Sequence, residues 1–564
     1  MGVLIVHAAM DRRAANLTRG SLSFSPNESG LNFASLLLGY PNQSLTAEGY
    51  PSVRMRSRRA GAYVTDEWRV RSNLTVTAGL RFDYMGNPYD LLGHVRTVSL
   101  ERPYTTPGGA QIPTLFPKVE SEEGKQKLWK QVAPFWQPRL GIAYRPTNKW
   151  VIRSGVGQYT SPQHFVQIST ANLMPPLSGF QQYDSITDAV PGSTTRMFRP
   201  GLPILTLNDP FIGAQAAPPV SVWRLEPDRR ERDVWQWSFD IQRELPGSMA
   251  LTVGYVGSKT SHSANSYENF NGALPSLDTN FQARRPIRQF YDPSEPNKGI
   301  QTLGRIFAFD SYSNQHYHGL QTKLERRFSR GLSFGVSYTY SKANGDGEDG
   351  GNEGAGRQVY NDRAGSRGRT SFDLTHNAVI HFVYEIPFGK NLKGVSGAIL
   401  KGWQTNGILS LRSGFSWTPT VGGNELNTGN DGTPIRPDRL RDGRLDGATR
   451  ALWYDPSAFQ RVNCNIASRP DLCHYGNSGR NIMTTPGQRN LDFSLFKNFA
   501  VTERFKVQFR GETFNAFNKP YFGQPNNLGF VSLNSITPDA PRVGEIRSLS
   551  GAMRVMQFGI KFSF

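Results

Sequence analysis

The chain ends with "MRVMQFGIKFSF" at residues 553–564, and this stretch decides the fold. Large apolar side chains occupy every second position, at Met556, Phe558, Ile560, Phe562 and Phe564. In an extended chain such residues lie on one face. The alternation continues to the last residue, whereas the last residues of a soluble domain usually make few contacts. We therefore predict a terminal β-strand with one face in an apolar environment.

The same two-residue period recurs along the rest of the chain. In "LTVTAGLRFDY" (74–84) apolar residues alternate with polar residues and glycine, and "LSFGVSYTYS" (332–341) and "FKVQFRGET" (505–513) repeat the pattern. Each of these segments is typical of a strand with one apolar and one polar face. Further segments of this kind lie near 56–70, 138–145, 149–158, 229–244, 248–258, 314–328, 370–386, 402–414 and 489–499. The sequence thus predicts about thirteen strands.

Short and long connections alternate between these strands without exception. The short links lie at 71–73, 146–148, 246–247, 329–330 and 500–503, with a somewhat longer one at 387–401. The other connections are long and rich in Gly, Pro, Asn, Asp and Ser, although such long loops are uncommon in compact domains. Outer-membrane barrels have this arrangement, because tight turns join their strands on the periplasmic side and large loops join them outside. We therefore predict an all-β fold, an antiparallel transmembrane β-barrel with apolar side chains toward lipid and polar side chains toward the lumen.

The direction of the strands indicates that an odd number of strands is still unassigned. The strand at 56–70 enters a short turn and the last strand follows a long loop, so both run from the outside toward the periplasm. A closed antiparallel barrel needs opposite directions at its seam, and an open sheet edge in lipid is unfavourable. We expect either a fourteenth strand near 31–41 or further strands upstream of Met1.

Composition is compatible with a barrel and argues against other classes of protein. Hydrophobic residues make up 37% of the 564 residues, and no stretch approaches the roughly 18 consecutive apolar residues of a transmembrane helix. The net charge of +19 comes from Arg and Lys residues scattered along strand-like segments, without the clusters or motifs of nucleic-acid-binding proteins. No phosphate-binding loop, nucleophile elbow or metalloprotease helix occurs. We therefore expect no nucleic-acid partner, no enzymatic activity and no cofactor.

Several segments, taken in order, resemble one family of outer-membrane proteins. They are "YVTDEWRV" before "LTVTAGLRFDY", then "GYVGSK", "HYHGLQTKLERRF", "DLTHNAVIHFVYEIPFG" and "RGETFNAFNKPYFG". Together they are similar to segments of the TonB-dependent outer-membrane receptors, in particular of the Oar-like group. The likeness covers residues 31–564 and implies a location in the cell outer membrane and a role in active transport.

The resemblance also implies parts that this sequence does not show. Members of that family have a signal peptide, a TonB-contacting box, a plug domain and a barrel of about 22 strands. The first residues, "MGVLIVHAAMDRR", lack the features of a secretory signal. We therefore divide the chain into an N-terminal remnant with a candidate partial strand (1–45) and the C-terminal part of the receptor barrel (46–564), without a plug domain. About 13–14 of the strands would be present, and the TonB complex would act only through the missing N-terminal part.

Four residues of the terminal strand are candidates for a second role. In proteins of the resembled family the aromatic C-terminal strand is the signal read by the barrel-assembly machinery, and the matching positions are Phe558, Ile560, Phe562 and Phe564. The same side chains would also face lipid, and both roles can hold together. We therefore expect outer-membrane lipid and the barrel-assembly machinery as partners.

The two cysteines, Cys464 and Cys473, lie close together in "CNIASRPDLC". Two thiols are too few for a zinc site of their own. A local disulfide in an exposed loop is favoured if the compartment is oxidising. The alternative is a pair of free thiols.

Two other groups of residues resemble metal ligands without completing a metal site. His316 and His318 share a strand face, but no third ligand is evident nearby. The glycine-rich segment 344–354 carries the carboxylates Asp346, Glu348, Asp349 and Glu353. Their spacing does not match that of an EF-hand loop. We expect this segment and the similar segment 422–434 to be flexible, solvated external loops.

The resemblance predicts a function in uptake. The chain would be the barrel portion of a TonB-dependent transporter for a bulky nutrient such as a siderophore, a glycan or a peptide. Binding residues would lie on the lumen faces of the strands and in the large loops around 85–137, 159–228 and 415–488, and the sequence names no substrate. The alternatives are a surface-exposed structural or adhesion protein and a non-functional truncated fragment.

Overall fold

The computed structural model describes most of the chain. The described residues are 1–13, 20–24, 32–48, 52–116, 134–161, 165, 179–184, 187–189, 196–198, 205–211, 219–226, 228–267, 270–347, 357–360, 362–389, 391–421, 425–429, 435–500, 502, 504–528 and 542–564.

Fourteen strands of the described residues form one antiparallel sheet, in which each strand pairs with the next along the chain. In chain order they are β1 (Gly2–Arg13), β2 (Ser52–Arg71), β3 (Leu74–Met85), β4 (Phe135–Thr147), β5 (Trp150–Ser161), β6 (Arg232–Leu245), β7 (Met249–Tyr267), β8 (Ile300–Ser329), β9 (Leu332–Gly345), β10 (His376–Glu385), β11 (Trp403–Arg412), β12 (Gln488–Ala500), β13 (Lys506–Phe514) and β14 (Val555–Ser563). The prediction of an antiparallel all-β fold is confirmed.

The register keeps one apolar face continuous across the sheet. Directly opposed residues of antiparallel strands lie on the same face. Leu140 of β4 lies opposite Val156 of β5, which in turn lies opposite Trp237 of β6. At the other end of the sheet, Phe509 of β13 lies opposite Ile560 of β14, and both side chains are exposed. We call this continuous surface the outward face and the opposite one the inner face.

Connections on the two sides of the sheet differ in length, as the sequence predicts. On one side, called periplasmic below, the strands are joined by residues 72–73, 148–149, 246–248, 330–331, 386–402 and 501–505. On the other side, called external below, the connections are 14–51, 86–134, 162–231, 268–299, 346–375, 413–487 and 515–554. Two periplasmic turns place consecutive residues at positive φ, Gly247–Ser248 and Arg330–Gly331. This backbone suits a tight hairpin, because its twist matches that of the flanking strands.

The segment near 31–41 was one of two places where the missing strand was expected, and its described residues 32–41 are instead mainly helical. Helix α1 spans Asn32–Leu38. It ends at Gly39, which has a φ of 76°, and the amide of Gly39 donates to the carbonyl of Leu36. A glycine at positive φ after an apolar run is a common helix stop, because it satisfies the last carbonyls without steric cost. The prediction of a strand at this place was wrong.

The fourteenth strand lies at the start of the chain. All twelve residues of β1 pair with β2, from Gly2 opposite Tyr63 to Arg13 opposite Ser52. With β1 included, the first and last strands of the sheet run in opposite directions. The odd strand that the direction argument requires is therefore present. It lies in the N-terminal remnant (1–45), for which a partial strand was a candidate, but not at 31–41.

The sheet has two edges within the described residues. Strand β1 pairs with β2 and strand β14 pairs with β13, and no pairing between β1 and β14 is present in the described part of the chain. The side chains on these strands are more exposed than those in the middle of the sheet, with Val3 at 76% and Phe558 at 78%. Both edges thus present unpaired backbone groups.

Smaller elements lie mainly in the connections. They include two further helices, α2 (Phe281–Arg284) and α3 (Gly394–Leu400), and short 3-10 turns at Pro296–Lys298, Pro456–Ala458 and Pro470–Leu472. The additional strands are Ser21–Ser23, Gln43–Glu48, Tyr89–Asp90, Thr97–Thr105, Gln111–Phe116, Gly179–Asp184, Thr187–Ala189, Arg196–Phe198, Val220–Leu225, Gln289–Tyr291, Gly368–Arg369, Ser416–Trp417, Asp438–Arg439, Phe459–Gln460 and Met483–Thr484. Across the described ranges, every helix is too short or too polar to cross a membrane.

The hydrophobic core lies in the external loops. One cluster, called the first loop cluster, consists of Val53, Met55, Val95, Val98, Leu115, Val222, Leu225, Phe290, Leu303, Ile306 and Phe309. The second loop cluster consists of Trp417, Val421, Leu426, Ile435, Tyr454, Ala458, Phe459, Val462, Cys464, Met483, Leu528 and Val543. Both clusters join residues from several external connections or strand ends, so these loops pack against one another.

Candidate functional site

The external loops meet in a polar pocket of about 330 Å³, called the loop pocket below. Three connections contribute to it, 346–375, 413–487 and 515–554. Its lining residues are Ser366, Ser371, Ser416, Trp417, Thr418, Thr420, Arg436, Arg480, Asn481, Gln524 and Asn527. Most of the lining residues carry hydroxyl, amide or guanidinium groups, although apolar atoms make up the larger part of the exposed lining surface. Such a lining suits a ligand with both hydrogen-bonding atoms and apolar surface.

Hydrogen bonds within and between the loops fix the shape of the pocket. Thr418 donates from Oγ1 to Asn481 Oδ1 (2.9 Å), and the amide of Asn481 donates back to Thr418 Oγ1 (2.9 Å). The amide of Thr420 donates to Asn527 Oδ1 (3.2 Å), which links the second and third connections. Ser416 Oγ donates to the carbonyl of Thr370 and thereby links the first and second connections. The pocket is therefore held by contacts that cross from loop to loop.

Two arginines give the pocket a positive character. Arg436 donates from Nη1 to the carbonyl of Gly365 (2.8 Å) and from Nε to Gln358 Oε1 (3.2 Å). Within the described ranges, no carboxylate forms an ion pair with Arg436. Burial lowers the pKa of Arg436, and the neighbouring Arg480 lowers it further, whereas Asp362 raises it. A ligand with an anionic group would offset this unfavourable proximity of two cations.

The inner face below the external loops carries a second polar constellation. Arg81 binds Asp83 through two hydrogen bonds of 2.7 Å. Gln137 donates from Nε2 to the same carboxylate and accepts from the amide of Thr160 (3.2 Å). These residues line a cavity of about 270 Å³ between the inner faces of β1 to β5. The inner face is thus polar and ordered at this level of the sheet.

Buried charged residues lie beside the first loop cluster, and one of them, Arg224, links two external connections. Arg224 binds Glu226 on its own segment and Glu101 on another connection (2.9 Å).

Asp310, on the external part of β8, is fully buried, and its Oδ2 has no hydrogen-bond partner among the described residues. Burial raises the pKa of Asp310 to about 6, and Arg357 opposes this shift.

The C-terminal residues that were predicted to form an assembly signal lie on the outward face. Phe558, Ile560 and Phe562 of β14 lie opposite Gly511, Phe509 and Val507 of β13. Phe558, Ile560, Phe562 and Phe564 are all exposed, in keeping with contact with lipid. Their role as an assembly signal stays a prediction.

The two cysteines lie together in the second loop cluster. The structure joins Cys464 and Cys473 by a disulfide. Next to it, the amide of Asn463 donates to the carbonyl of Leu472 (2.8 Å), and the amide of Cys464 donates to the carbonyl of Glu425 (2.7 Å). Cys464 is buried, whereas residues 465–471 between the two cysteines are exposed, so the bond closes an exposed loop on a packed base.

The expectation of solvated acidic loops is wrong for the part that the structure describes. In the segment 422–434, Leu426 is fully buried in the second loop cluster. Asp346 forms an ion pair with Arg363 (2.8 Å) and accepts from the amide of Asn314 (2.6 Å). The other three carboxylates considered above, Glu348, Asp349 and Glu353, lie outside the described residues.

The two histidines considered above lie on the outward face of β8. His318 lies opposite Gly257, and its Nδ1 is hydrogen-bonded to the hydroxyl of Tyr255 (2.6 Å). His316 lies opposite Lys259, a cation that disfavours a metal ion beside it. In the part of the chain with described coordinates, no three side chains of His, Cys, Asp or Glu are grouped to hold a metal ion.

Of the three connections that form the loop pocket, one lies almost entirely within a range that the sequence predicts to contain binding residues. The predicted range 415–488 contains Trp417 and both arginines, but Ser366, Gln524 and the other residues from 346–375 and 515–554 were missed. Polar loop residues carry little signal of their own, because Ser, Asn and Gln are common in any loop. The glycine- and asparagine-rich stretch "FGQPNNLG" at 522–529 is the clearest sign that could have included the third connection.

Comparisons with known proteins agree with this architecture. The family model described as "Outer membrane beta barrel domain" matches residues 1–557. No curated protein matches the chain.

The chain also resembles solved structures at low sequence identity. One is the ferric citrate transporter FecA in its unliganded form, with 11% identity, a TM-score of 0.39, and coverage of 91% of this chain and 46% of that chain. Another is the ferric-catecholate import receptor Fiu from E. coli K12, with 9% identity, a TM-score of 0.40, and coverage of 92% and 50%. A third is the FrpB iron transporter from Neisseria meningitidis, with 10% identity, a TM-score of 0.38, and coverage of 99% and 52%.

The chain spans about half the length of these three structures. The family model, by contrast, matches nearly the whole chain. The strands of this chain also form one antiparallel sheet with a continuous apolar outward face. The chain therefore belongs to the outer membrane β-barrel domain family.

Proposed function

We propose that this chain is the barrel portion of a TonB-dependent transporter that takes up a bulky nutrient across the outer membrane. The observation that carries the proposal is the loop pocket, which three external connections build together. A structural surface protein needs no such concave polar site. The sequence resemblance to TonB-dependent receptors supports the dependence on TonB.

The chemistry of the pocket favours a polar ligand with an anionic group. Arg436 and Arg480 supply two guanidinium groups, which bind carboxylates and phosphates well. Trp417 adds an apolar surface beside hydroxyl and amide groups. An anionic iron chelate and an acidic glycan both have this chemistry, whereas a neutral apolar ligand does not.

Uptake by whole cells tests the proposal. Three labelled probes, ferric citrate, an oligogalacturonate and the neutral glycan maltohexaose, would be offered to cells with and without the gene. We expect gene-dependent accumulation of one of the two anionic probes, and an uncoupler of the proton-motive force should abolish it. Cells without the gene that take up all three probes as well as the parent strain, and lose attachment to surfaces instead, would support the adhesion alternative.

A matched pair of variants connects uptake to the pocket. Arg436→Gln should weaken uptake at low probe concentration, because the guanidinium lies in the pocket lining. Arg439→Gln is the control, since Arg439 is an exposed arginine on the same loop, paired with Asp442. Equal uptake by the two variants would place binding elsewhere.

A further inference from the structure

One periplasmic connection differs from the others. Residues 386–402 join β10 to β11 and contain helix α3, whereas the other periplasmic connections are short turns. Large apolar side chains of this connection are exposed, namely Phe388, Leu392, Val395, Ile399 and Leu400. The exposed fraction reaches 74% for Phe388 and 77% for Val395. A contiguous apolar patch of this kind usually marks a surface that contacts something other than water.

Hydrogen bonds attach the helix to the outward face of the sheet. Trp403 donates from Nε1 to the carbonyl of Ile399 (2.8 Å), and Lys497 donates from Nζ to the same carbonyl (2.9 Å) and to that of Lys401. Trp403 of β11 lies opposite Lys497 of β12, and Lys497 lies opposite Phe509 of β13. The side chains of Trp403 and Lys497 therefore both belong to the outward face of the sheet. The end of α3, which they bind, lies on that same side.

The helix end continues directly into the apolar surface of the strands. A groove of about 540 Å³ lies on this part of the sheet, lined by Trp403, Leu495, Lys497, Phe509, Phe558 and Ile560. Gly511, which has no side chain and lies opposite Phe558, leaves space for this groove on the outward face. Trp403 and Lys497 line this groove and also bond to the carbonyl of Ile399, so the end of α3 lies next to the groove.

The charges of the connection fit a phospholipid headgroup region. The segment "IPFGKNLKGVSGAILKG" (386–402) contains three lysines and no acidic residue. Among the described residues, Lys393 precedes α3 and Lys401 follows it, so both ends of the helix carry a cation. Lysines beside an apolar patch are typical of segments that lie in the membrane interface, where they reach the phosphate groups.

We propose that residues 386–402 form an interfacial anchor that lies in the periplasmic leaflet of the outer membrane. Val395, Ile399 and the other exposed apolar side chains enter the acyl region, and Lys393 and Lys401 remain among the phosphates. A protein partner fits less well, because a stable protein interface needs about 20–30 residues on each side. The anchor is independent of the substrate and of the transport role proposed above.

Spin-label accessibility tests the anchor. The full chain with Val395→Cys would be labelled with a nitroxide and placed in nanodiscs of phosphatidylethanolamine and phosphatidylglycerol. Power saturation then compares collisions with oxygen, which concentrates in acyl chains, and with a water-soluble nickel chelate. We expect oxygen to collide several-fold more effectively than the chelate at position 395.

One control and a second test position make the result decisive. Asn148→Cys lies in the polar turn between β4 and β5 on the same side of the sheet, and its label should favour the nickel chelate. Ile399→Cys is the second test position and should behave as Val395→Cys does. Labels at 395 and 399 that favour the chelate as strongly as the label at 148 would overturn the proposal. They would instead indicate a patch that is free in water until a protein covers it.

Discussion

At the scale of single residues, charged side chains differ in importance according to what surrounds them. Asp83 lies on the inner face, almost fully buried, and binds Arg81 and Gln137. Glu325 also lies on a strand and pairs with Lys323, but both side chains are half exposed. Water and counterions weaken the second pair, whereas removal of a buried partner leaves the other groups unsatisfied.

Removal of the Asp83 carboxylate should therefore destabilise the protein. We expect Asp83→Ala to lower the free energy of unfolding by about 1–3 kcal/mol, because Arg81 and Gln137 lose their common acceptor. Glu325→Ala is the matched control and should cost less than about 1 kcal/mol. Urea titration followed by tryptophan fluorescence measures both. Equal losses for the two variants would contradict the role given to the inner network.

Asp310 should make stability depend on pH. Burial raises its pKa to about 6 in the folded state. The folded protein then binds more protons at this site than the unfolded chain between about pH 4 and 6, so stability falls as pH rises through that window. In Asp310→Asn the fall should be smaller by up to about 2–3 kcal/mol. Denaturant titrations at several pH values measure it, and an unchanged slope would show that Asp310 titrates normally.

At the scale of elements, strands were predictable and loops were not. All thirteen predicted strands are present, since alternation depends on the residues of the strand itself, as in "LSFGVSYTYS" at 332–341. Strand β1, which was not among the thirteen and was covered only by the candidate partial strand in 1–45, contains the run Val3–Val6, in which apolar residues do not alternate. The loop clusters bring together residues as distant as Leu426 and Val543, and no local pattern indicates such contacts. For the same reason the sequence located only part of the loop pocket.

Loss of the disulfide should loosen the second loop cluster. The bond ties residues nine positions apart, and short closed loops of this kind stabilise by up to about 3 kcal/mol. In the double variant Cys464→Ser with Cys473→Ser, amide hydrogen exchange should therefore become faster at Asn463, whose amide donates to the carbonyl of Leu472, and at Leu472, whose amide donates to the carbonyl of Arg469. Amides near Val98 in the first loop cluster serve as the control and should not change. Unaltered exchange at Asn463 would mean that packing alone holds this loop.

The terminal strand allows its two proposed roles to be separated. Phe564 and Phe509 both lie exposed on the outward face. If Phe564 is also part of an assembly signal, Phe564→Ala should reduce the amount of folded protein in the outer membrane several-fold, whereas Phe509→Ala should not. Gel mobility of unheated and heated membrane samples reports the folded fraction. An equal reduction in both variants would indicate that contact with lipid is the whole role.

At the scale of the whole molecule, the family match places the protein in the outer membrane, where one face of the sheet meets lipid. The antiparallel sheet and its alternating connections follow from the two-residue period, so the sequence predicted them. The two-residue period did not predict how the first and last strands of the sheet are arranged. Strands β1 and β14 run in opposite directions, as closure requires, yet they remain unpaired with each other in the described residues. The predicted total of about 22 strands stays a prediction.

The most direct test of the account is a cysteine scan along β9 in isolated outer membranes. Single cysteines at Val336, Ser337, Tyr338, Thr339 and Tyr340 would be exposed to a charged, membrane-impermeant maleimide. We expect a period of two, with modification at Ser337 and Thr339 on the aqueous inner face and protection at Val336, Tyr338 and Tyr340 in lipid. Uniform modification, or protection of Ser337 and Thr339 with modification of the aromatic positions, would contradict the assignment of the two faces.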